Sequence, residues 1–374
     1  MADPRFAAVT ASASVWVEGY GEVLAHAPDV ALLPASNQKL LTALGVHALL
    51  PPDGGFTTTV RAVGPVQADG TLEGDLVLVG GGDPTLTRTG PHSLDALAAQ
   101  VRAAGIVRTT GALVVDETRQ EAARAGPGWQ DWQIPTYAGP LSAVTVDDNR
   151  YRTDAPYLAD PVVGNGEVFA DALRRHGISF DGAVVRAAGP VGSVEVASLR
   201  SADFPALAGD MLLRSDNETA EMLLREVSTR AGGGGSTLDG ATRVSEAIAT
   251  ITCLDLDGVS SDGSGLSRAN FRSARELRRI LHAASSTELW PSLDTALPVA
   301  GETGTLARRF RGTPAAGNVH AKTGSIIGGR ALTGHLLTAG GRRAYFSIVV
   351  NGEGSGSALA AMDDLIVTLA ADPS

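Results

Sequence analysis

Three short strings in this chain carry side chains that can break an amide bond. The first is Ser36-Asn37-Gln38-Lys39. On a helix, positions i and i+3 share a face, which places the Lys39 amine beside the Ser36 hydroxyl. A serine is a weak nucleophile until a base takes its proton. A lysine serves as that base only when desolvation or a neighbouring positive charge lowers its pKa from about 10.4. Ser36 also stands at the positive end of the helix macrodipole. Taken alone the spacing is common, and a helix cap followed by a surface lysine accounts for it. The second string, Ser215-Asp216-Asn217, opens an Asn-Glu-Thr-Ala-Glu-Met-Leu-Leu helix and by itself reads as an N-cap run. In a catalytic reading the Ser215 hydroxyl relays a proton between two amines, and Asn217 bonds a substrate amide. The third, Lys322-Thr323-Gly324-Ser325, ends a strand whose edge offers N–H and C=O groups to an extended peptide. Lys322 brings positive charge for a carboxylate and Thr323 a hydroxyl. Gly324 leaves the approach open, and the Ser325 N–H pairs with that of Ser36 as an oxyanion hole.

The scarcity of lysine sharpens this. Lys39 and Lys322 are the chain's two lysines; the other 28 of its 30 basic residues are arginine. Surface charge is supplied by arginine, so a retained lysine marks a need for an amine that can lose its proton. Both lysines fall inside the three strings, and strings of this kind in this order mark penicillin-binding proteins and serine β-lactamases.

The elements that must position these residues follow from the pattern. Residues 12–18 and 21–26 predict a hairpin, and Ser36–Leu50 a helix with Leu40, Leu41, Leu44 and Leu49 on its apolar face, stopped by Pro51-Pro52-Asp53-Gly54. From 56 to 205 the texture changes to short β-rich runs (Thr57–Val63, Asp75–Val79, Ala112–Val115, Val144–Val146), with helices near Ser93–Ala104 and Glu167–His176. Helices are expected at 203–213, 217–230, 238–251, 272–284 and 356–370, and strands at Asn318–Thr323, Ala331–Leu337 and Arg342–Val350. The expected fold class is α/β (α+β): residues 1–55 and 206–374 form a split domain with an antiparallel sheet flanked by helices, and 56–205 form an inserted β-rich domain. Strands from both chain ends in one sheet bring residues 36 and 322 together.

The likeness runs beyond the three strings. Pro34-Ala35-Ser36-Asn37-Gln38-Lys39-Leu40-Leu41-Thr42, Gly81-Gly82-Asp83-Pro84-Thr85-Leu86, Asp262-Gly263-Ser264-Gly265-Leu266-Ser267-Arg268 and Leu297-Pro298-Val299-Ala300-Gly301 all look like hallmarks of one family. Over nearly its whole length the chain resembles the class C low-molecular-mass penicillin-binding proteins, the D-alanyl-D-alanine carboxypeptidase/endopeptidase family. The resemblance implies a transpeptidase domain like that of penicillin-binding proteins and serine β-lactamases. It implies cleavage of the terminal D-Ala-D-Ala bond of peptidoglycan stem peptides through an acyl-enzyme, with peptide cross-links as a second substrate type, and covalent inhibition by β-lactam antibiotics. Many members carry a larger, two-domain insert. The 179-residue step from Ser36 to Ser215 leads us to expect a reduced insert of one domain.

Weaker candidates surround the three strings. Arg268 suits bidentate recognition of a carboxylate on the donor peptide's side chain, or else a structural role in its turn. Ile326 is expected to line the cleft. Asp131 and Tyr137 lie in an aromatic stretch with Trp129 and Trp132, which reads first as insert core. An acid there suits the free amine of a diaminopimelate side chain. His320 shares a strand face with Lys322, where a packed or surface role is the simpler reading. The seven histidines show no His-x-x-x-His pair and there is no Cys-x-x-Cys, so neither metal nor cofactor is expected.

Composition removes other classes. With 44% hydrophobic residues a sizeable core is available, and the net charge of -11 argues against a nucleic-acid partner. No apolar run reaches the roughly 18 residues of a membrane span. A lone Cys253 forms no internal disulfide. No signal peptide is visible, so a protein of this kind, working in the cell envelope outside the cytoplasm, would have its signal or anchor missing from this chain. The Gly232–Gly235 run lacks the Gly-Lys-Ser/Thr of a phosphate loop. Three rivals use the same residues or none of their chemistry. A serine β-lactamase must hydrolyse its acyl-enzyme quickly, and the Glu-x-x-Leu-Asn string associated with that water in class A is absent. A catalytically inactive cell-wall-binding module would not be acylated by penicillin. An esterase of D-amino-acid compounds separates on substrate profiling.

Overall fold

The computed structural model describes residues 3–150 and 156–373. Strands β1 (Thr10–Val17) and β2 (Gly21–His26) form the expected hairpin. A 3-10 turn over Ala35–Asn37 then leads into α1 (Gln38–Leu49). The stretch that follows supplies β3 (Thr57–Ala62), β4 (Thr71–Leu72), β5 (Leu76–Val79), α2 (Leu94–Ala103), β6 (Arg108–Thr109), β7 (Leu113–Asp116), the short α3 (Gln133–Thr136), α4 (Pro161–Arg175), β8 (Ser179–Phe180), β9 (Val184–Arg186) and β10 (Val194–Arg200). Helices α5 (Phe204–Arg214), α6 (Asn217–Arg230), α7 (Thr237–Thr252), α8 (Ala274–Ala284) and α9 (Trp290–Ala296) come next. Strands β11 (His320–Ile326), β12 (Gly329–Leu337) and β13 (Arg343–Asn351) and helix α10 (Ser355–Ala370) complete the chain.

The two chain ends meet in one antiparallel sheet of order β11-β12-β13-β1-β2. Thr10 pairs with Asn351 at one end of the β1–β13 ladder and Val17 with Ala344 at the other. Helices cover both faces, so β1 and β13 are buried almost throughout. Ala358, Met362 and Ile366 of α10 fill one side with Val15, Phe346 and Ile348. The other side packs α1, α5, α6, α7 and α8 around Leu41, Leu44, Met211, Leu223 and Leu277. Two buried serines of β1 serve that interface: Ser12 Oγ accepts from the Ala274 N–H at the start of α8 (3.1 Å), and Ser14 Oγ accepts from Arg278 Nε (3.0 Å).

A second sheet, β10-β3-β5-β7-β9, and a three-stranded one, β4-β6-β8, are built wholly from residues 57–200. They share one apolar core with α2 and α4. The sheets mix antiparallel pairs with parallel ones (β5–β7, β7–β9, β4–β6, β6–β8). Three details differ from the sequence expectation. Val144–Val146 is a buried loop, not a strand; its Val144 carbonyl accepts from the Asn165 side chain (2.7 Å). Helix α4 begins at Pro161, six residues before the expected start. Gly164 and Gly166 argue against helix locally, yet Asp160 caps it by accepting from the N–H groups of Val162 and Val163. Helix α9, of seven residues, was not expected.

Arg225 of α6 ties the two regions together. Its guanidinium is fully buried and donates to the carbonyls of Glu121 (3.2 Å) and Ala123 (2.8 Å) and to Thr237 Oγ1 (2.9 Å).

The close approach of α7 to α6 gives a stability prediction. A Cβ on Gly240 would sit 2.2 Å from the Leu224 carbonyl oxygen, a backbone atom of α6 that has no room to yield. Gly240→Ala gains about 1 kcal/mol of helix propensity, but overpacking costs roughly 1–3 kcal/mol, and we expect a net loss. Gly356→Ala at the first turn of α10 meets nothing within 4 Å and is expected to be neutral or stabilising. Urea midpoints of the two variants should move in opposite directions or, at least, only the first should fall.

Candidate active site

The Ser36 turn is held from three sides. Ala35 adopts a left-handed φ of 47°, a conformation that costs a non-glycine residue energy unless its surroundings impose it. Here the 262–268 loop does so: a Cβ on Gly265, itself at φ 86°, would lie 1.9 Å from the Ala35 carbonyl oxygen. From the sheet side, Asn37 Nδ2 donates to the Lys322 carbonyl (3.0 Å) and docks the turn on β11. One turn into the helix, Lys39 projects back under Ser36.

The Lys39 amine is wholly buried. It lies 3.3 Å from Ser36 Oγ, 2.6 Å from Asn217 Oδ1 and 2.7 Å from the Ser264 carbonyl oxygen. Burial lowers its pKa to about 8, against the pull of Asp216, Asp262 and Glu221, whose charges favour the ammonium. Lys322 is equally buried. Its amine donates to Ser215 Oγ (2.8 Å) and to the Thr323 carbonyl (3.0 Å). Burial first, and the Lys39 charge second, push its pKa well below the ordinary lysine value.

The three strings converge through the ends of their elements. Ser215 closes α5 in the left-handed region (φ 59°), and Asp216 caps α6 by accepting from the Thr219 N–H (2.6 Å). Asn217, the first residue of α6, turns its amide nitrogen to the Tyr137 carbonyl (2.8 Å) while its oxygen meets Lys39. Strand β11 is a sheet edge. Its Ala321 N–H points away from β12 to the Pro298 carbonyl (3.0 Å). Two-residue alternation turns the main-chain groups of Thr323 and Ser325 to that same free edge. The Thr323 hydroxyl bonds Thr305 Oγ1 (2.7 Å), and a Cβ on Gly324 would crowd the Pro34 carbonyl at 2.8 Å.

The weaker candidates divide. Arg268 reaches across to the β11–β12 turn, where Nη2 donates to the Ile327 carbonyl (2.8 Å). Ile326 is 3% exposed, so its side chain is packed away instead of lining an open cleft. Tyr137 stands exposed with its ring edge against Trp132, centroids 5.8 Å apart, and Asp131 is exposed beside them. These aromatics are therefore surface next to the site and not insert core. Trp129, half-buried against the core around Leu41 and Leu223, donates Nε1–H to Asp262 (2.8 Å).

Sequence reading singled out the 262–268 string but not what its groups do behind the site, and it missed Glu221. The Asp262 carboxylate accepts from the N–H groups of Gly265 and Ser267 and from Ser264 Oγ, Asn270 Nδ2 and Trp129 Nε1, and so folds the loop that offers the Ser264 carbonyl to Lys39. Glu221 Oε1 accepts from the N–H groups of Gly263 and Ser264, and burial pushes its carboxyl upward. Glu221 lies one helical turn after Asn217, a spacing available in the sequence, but an acid there reads as an ordinary solvated helix face. A main-chain carbonyl leaves no sequence signal at all.

Comparison with known proteins places the chain among peptidases. Residues 1–159 and 156–372 match the D-Ala-D-Ala carboxypeptidase 3 (S13) family. The D-alanyl-D-alanine carboxypeptidase of Actinomadura sp. (strain R39) is 32% identical, over 91% of this chain and 77% of its own length. A carboxypeptidase of Mycobacterium tuberculosis is 31% identical, over 91% of this chain and 76% of its own. Among solved structures, penicillin-binding protein 4 of Haemophilus influenzae superposes with a TM-score of 0.83 at 23% identity, covering 92% of this chain and 91% of the other.

The contact between Gly265 and the Ala35 carbonyl makes a sharp test of this geometry. Gly265→Ala must displace the Ser36 turn, and misplacement of a reacting group by an ångström lowers rate by about 100-fold. The expected result is a loss of that order in the rate of covalent modification by benzylpenicillin, with near-wild-type far-ultraviolet circular dichroism.

Proposed function

The chain belongs to the D-Ala-D-Ala carboxypeptidase 3 (S13) family, and on that premise we propose that it removes the terminal D-alanine of peptidoglycan stem peptides through an acyl-enzyme on Ser36. The observation that carries this reading is the hydrogen-bond set of Lys39. A neutral amine has two N–H donors and one lone pair. Asn217 Oδ1 and the Ser264 carbonyl can only accept, so they take both donors, and the lone pair is left for the Ser36 hydroxyl. The burial that brings Lys39 to about 8 makes the neutral form accessible near neutral pH.

In the mechanism, Ser36 Oγ attacks the carbonyl carbon of the penultimate D-Ala while its proton passes to Lys39 Nζ. The backbone N–H groups of Ser36 and Ser325 stabilise the oxyanion. Ser215, hydrogen-bonded to Lys322, relays a proton to the departing D-Ala nitrogen, and the C–N bond breaks. Lys322 and Thr323 receive the terminal carboxylate, and Asn217 bonds the substrate backbone. Water then hydrolyses the ester and frees Ser36. Arg268, Asp131 and Tyr137 border the side-chain end of the donor peptide; Arg268 reaches that carboxylate by exchanging its bond to the Ile327 carbonyl. Residues 56–205 act as an inserted domain. Support comes from the separate sheets and core of that stretch and from the paired crossing at its boundary, where Phe56 and Ser201 exchange hydrogen bonds (2.9 and 3.0 Å). Peptidoglycan places the substrate in the cell envelope, outside the cytoplasm, and β-lactams acylate the same serine.

Intact mass spectrometry with benzylpenicillin tests the assignment. A stable one-to-one adduct is expected on the native protein and none on Ser36→Ala. Rapid destruction of the drug without an adduct would establish the β-lactamase alternative. An intact drug and no adduct would sink the acyl-serine reading and leave the cell-wall-binding module.

The pH dependence follows in sign from Lys39. Below pH 8 the ammonium has no lone pair to accept the Ser36 proton, so the acylation rate should rise about tenfold per pH unit and level off above about 8. Lys39→Arg keeps the charge but cannot give up its proton, and stopped-flow acylation should slow by about 1,000-fold or more with no plateau near 8.

A further inference from the structure

The structure gathers three side chains that no local spacing connects. Asp294 stands on α9, His320 at the start of β11 and His335 on β12. The histidines are cross-strand partners with ring centroids 5.1 Å apart. His320 Nδ1 lies 2.9 Å and His335 Nε2 2.7 Å from the same oxygen, Asp294 Oδ1. The ligand atoms of all three lie within 4.8 Å of one another. The side chains of Asp294 and His320 are 27% and 29% exposed, and that of His335 is 7% exposed, so the cluster opens to solvent on one side.

We propose that Asp294, His320 and His335 bind a divalent transition ion of the zinc class, with solvent in the fourth position. Two imidazoles and a carboxylate are a ligand set that suits zinc, and three protein ligands with one open position is a recurrent zinc arrangement. Tetrahedral bonds of about 2.0–2.1 Å separate ligand atoms by about 3.3 Å. The observed nitrogen–oxygen separations therefore need to open by only about half an ångström, within side-chain rotation. The strand ladder fixes both histidine backbones, and Trp290 packs against the His335 ring with centroids 5.1 Å apart.

Proton balance is simple. With both nitrogens facing one carboxylate oxygen, each neutral ring carries its proton on the facing nitrogen. On binding, that proton moves to the other ring nitrogen, the imidazoles stay neutral, and nothing is oxidised or reduced. One carboxylate leaves the occupied site with a single positive charge. Arg343 is the nearby cation and weakens the site without blocking it.

The ion would tie α9 to the strand that carries Lys322, two residues beyond His320. Its role is therefore to position that strand, and no step of the peptidase mechanism uses it. The absence of His-x-x-x-His pairs bears only on sites built from a single helix. This site uses a strand pairing and a short helix, neither of which gives a sequence spacing.

The test uses the full chain after treatment with EDTA. Calorimetric titration with ZnCl2 should show one ion per chain and a raised melting temperature. Affinity should fall by about 100-fold in both Asp294→Asn and His320→Ala. Cys253→Ser should leave it unchanged, because that exposed thiol lies outside the cluster. Co(II) in place of zinc should give the intense visible absorption of a four-coordinate site, lost in the same two variants. Unchanged far-ultraviolet circular dichroism confirms that each variant is folded. The proposal is overturned by absence of saturable one-to-one binding, or by variants that bind the ion as tightly as the native chain.

Discussion

The Lys39 amine lies out of contact with water, and its hydrogen-bond partners are a serine hydroxyl, an amide oxygen and a main-chain carbonyl. None of them carries a full charge, so the ammonium form is left without a direct counter-ion in a low-dielectric surrounding. The acids that do favour the ammonium, Asp216, Asp262 and Glu221, act from a distance, and burial outweighs them. This arrangement lowers stability: the folded chain holds its proton less tightly than the unfolded one, so stability rises with pH from about 8 towards the free-lysine value and carries the full penalty below 8. What the molecule gains is an amine of lowered pKa beside a hydroxyl. A stable core on both faces of the main sheet offsets the loss.

Burying that amine dictates much of the surrounding architecture. Three segments far apart in the chain must end at one point: α1 brings the amine, α6 brings Asn217, and the 262–268 loop brings the Ser264 carbonyl. Each is fixed by its own local device. Asn37 pins the start of α1 to β11, Asp216 caps α6, and Asp262 gathers donors from its own loop and from Trp129. A carboxylate saturated in this way is structural, since its acceptor positions are occupied by groups that cannot leave without unfolding the loop. Lys322 repeats the pattern on the opposite wall, with Ser215 in a left-handed turn as its partner.

The segment around 126–138 completes the cleft from the 57–200 stretch. It touches the site through backbone and buried polar groups: the Tyr137 carbonyl on Asn217, Gln133 Nε2 on the Leu266 carbonyl (2.8 Å), and Trp129 on Asp262. Buried Arg225 holds the preceding stretch to α6. The 57–200 stretch is thus coupled to the same helix that presents Asn217, and a shift of one would be felt by the other.

The sequence alone pointed to the chemistry and determined the outline of the fold. Two lysines in a chain that otherwise uses arginine, each beside a serine at a fixed spacing, led to the expectation of an acyl-serine site without coordinates. Apolar periodicity located the long helices and the strands of the main sheet, because those elements bury a continuous face. What only the tertiary structure decided are relations between distant segments: the Ser264 carbonyl and Glu221 behind Lys39, the bond of Arg268 to the Ile327 carbonyl, the burial of Ile326, and the exposure of Trp132 and Tyr137. The same holds for the parallel pairing of short strands within residues 57–200, for the early start of α4, and for the meeting of Asp294 with His320 and His335. The physical reason is common to all of them. Periodicity reports which face of an element is buried, while main-chain acceptors and cross-strand neighbours acquire their partners only when separate elements pack together.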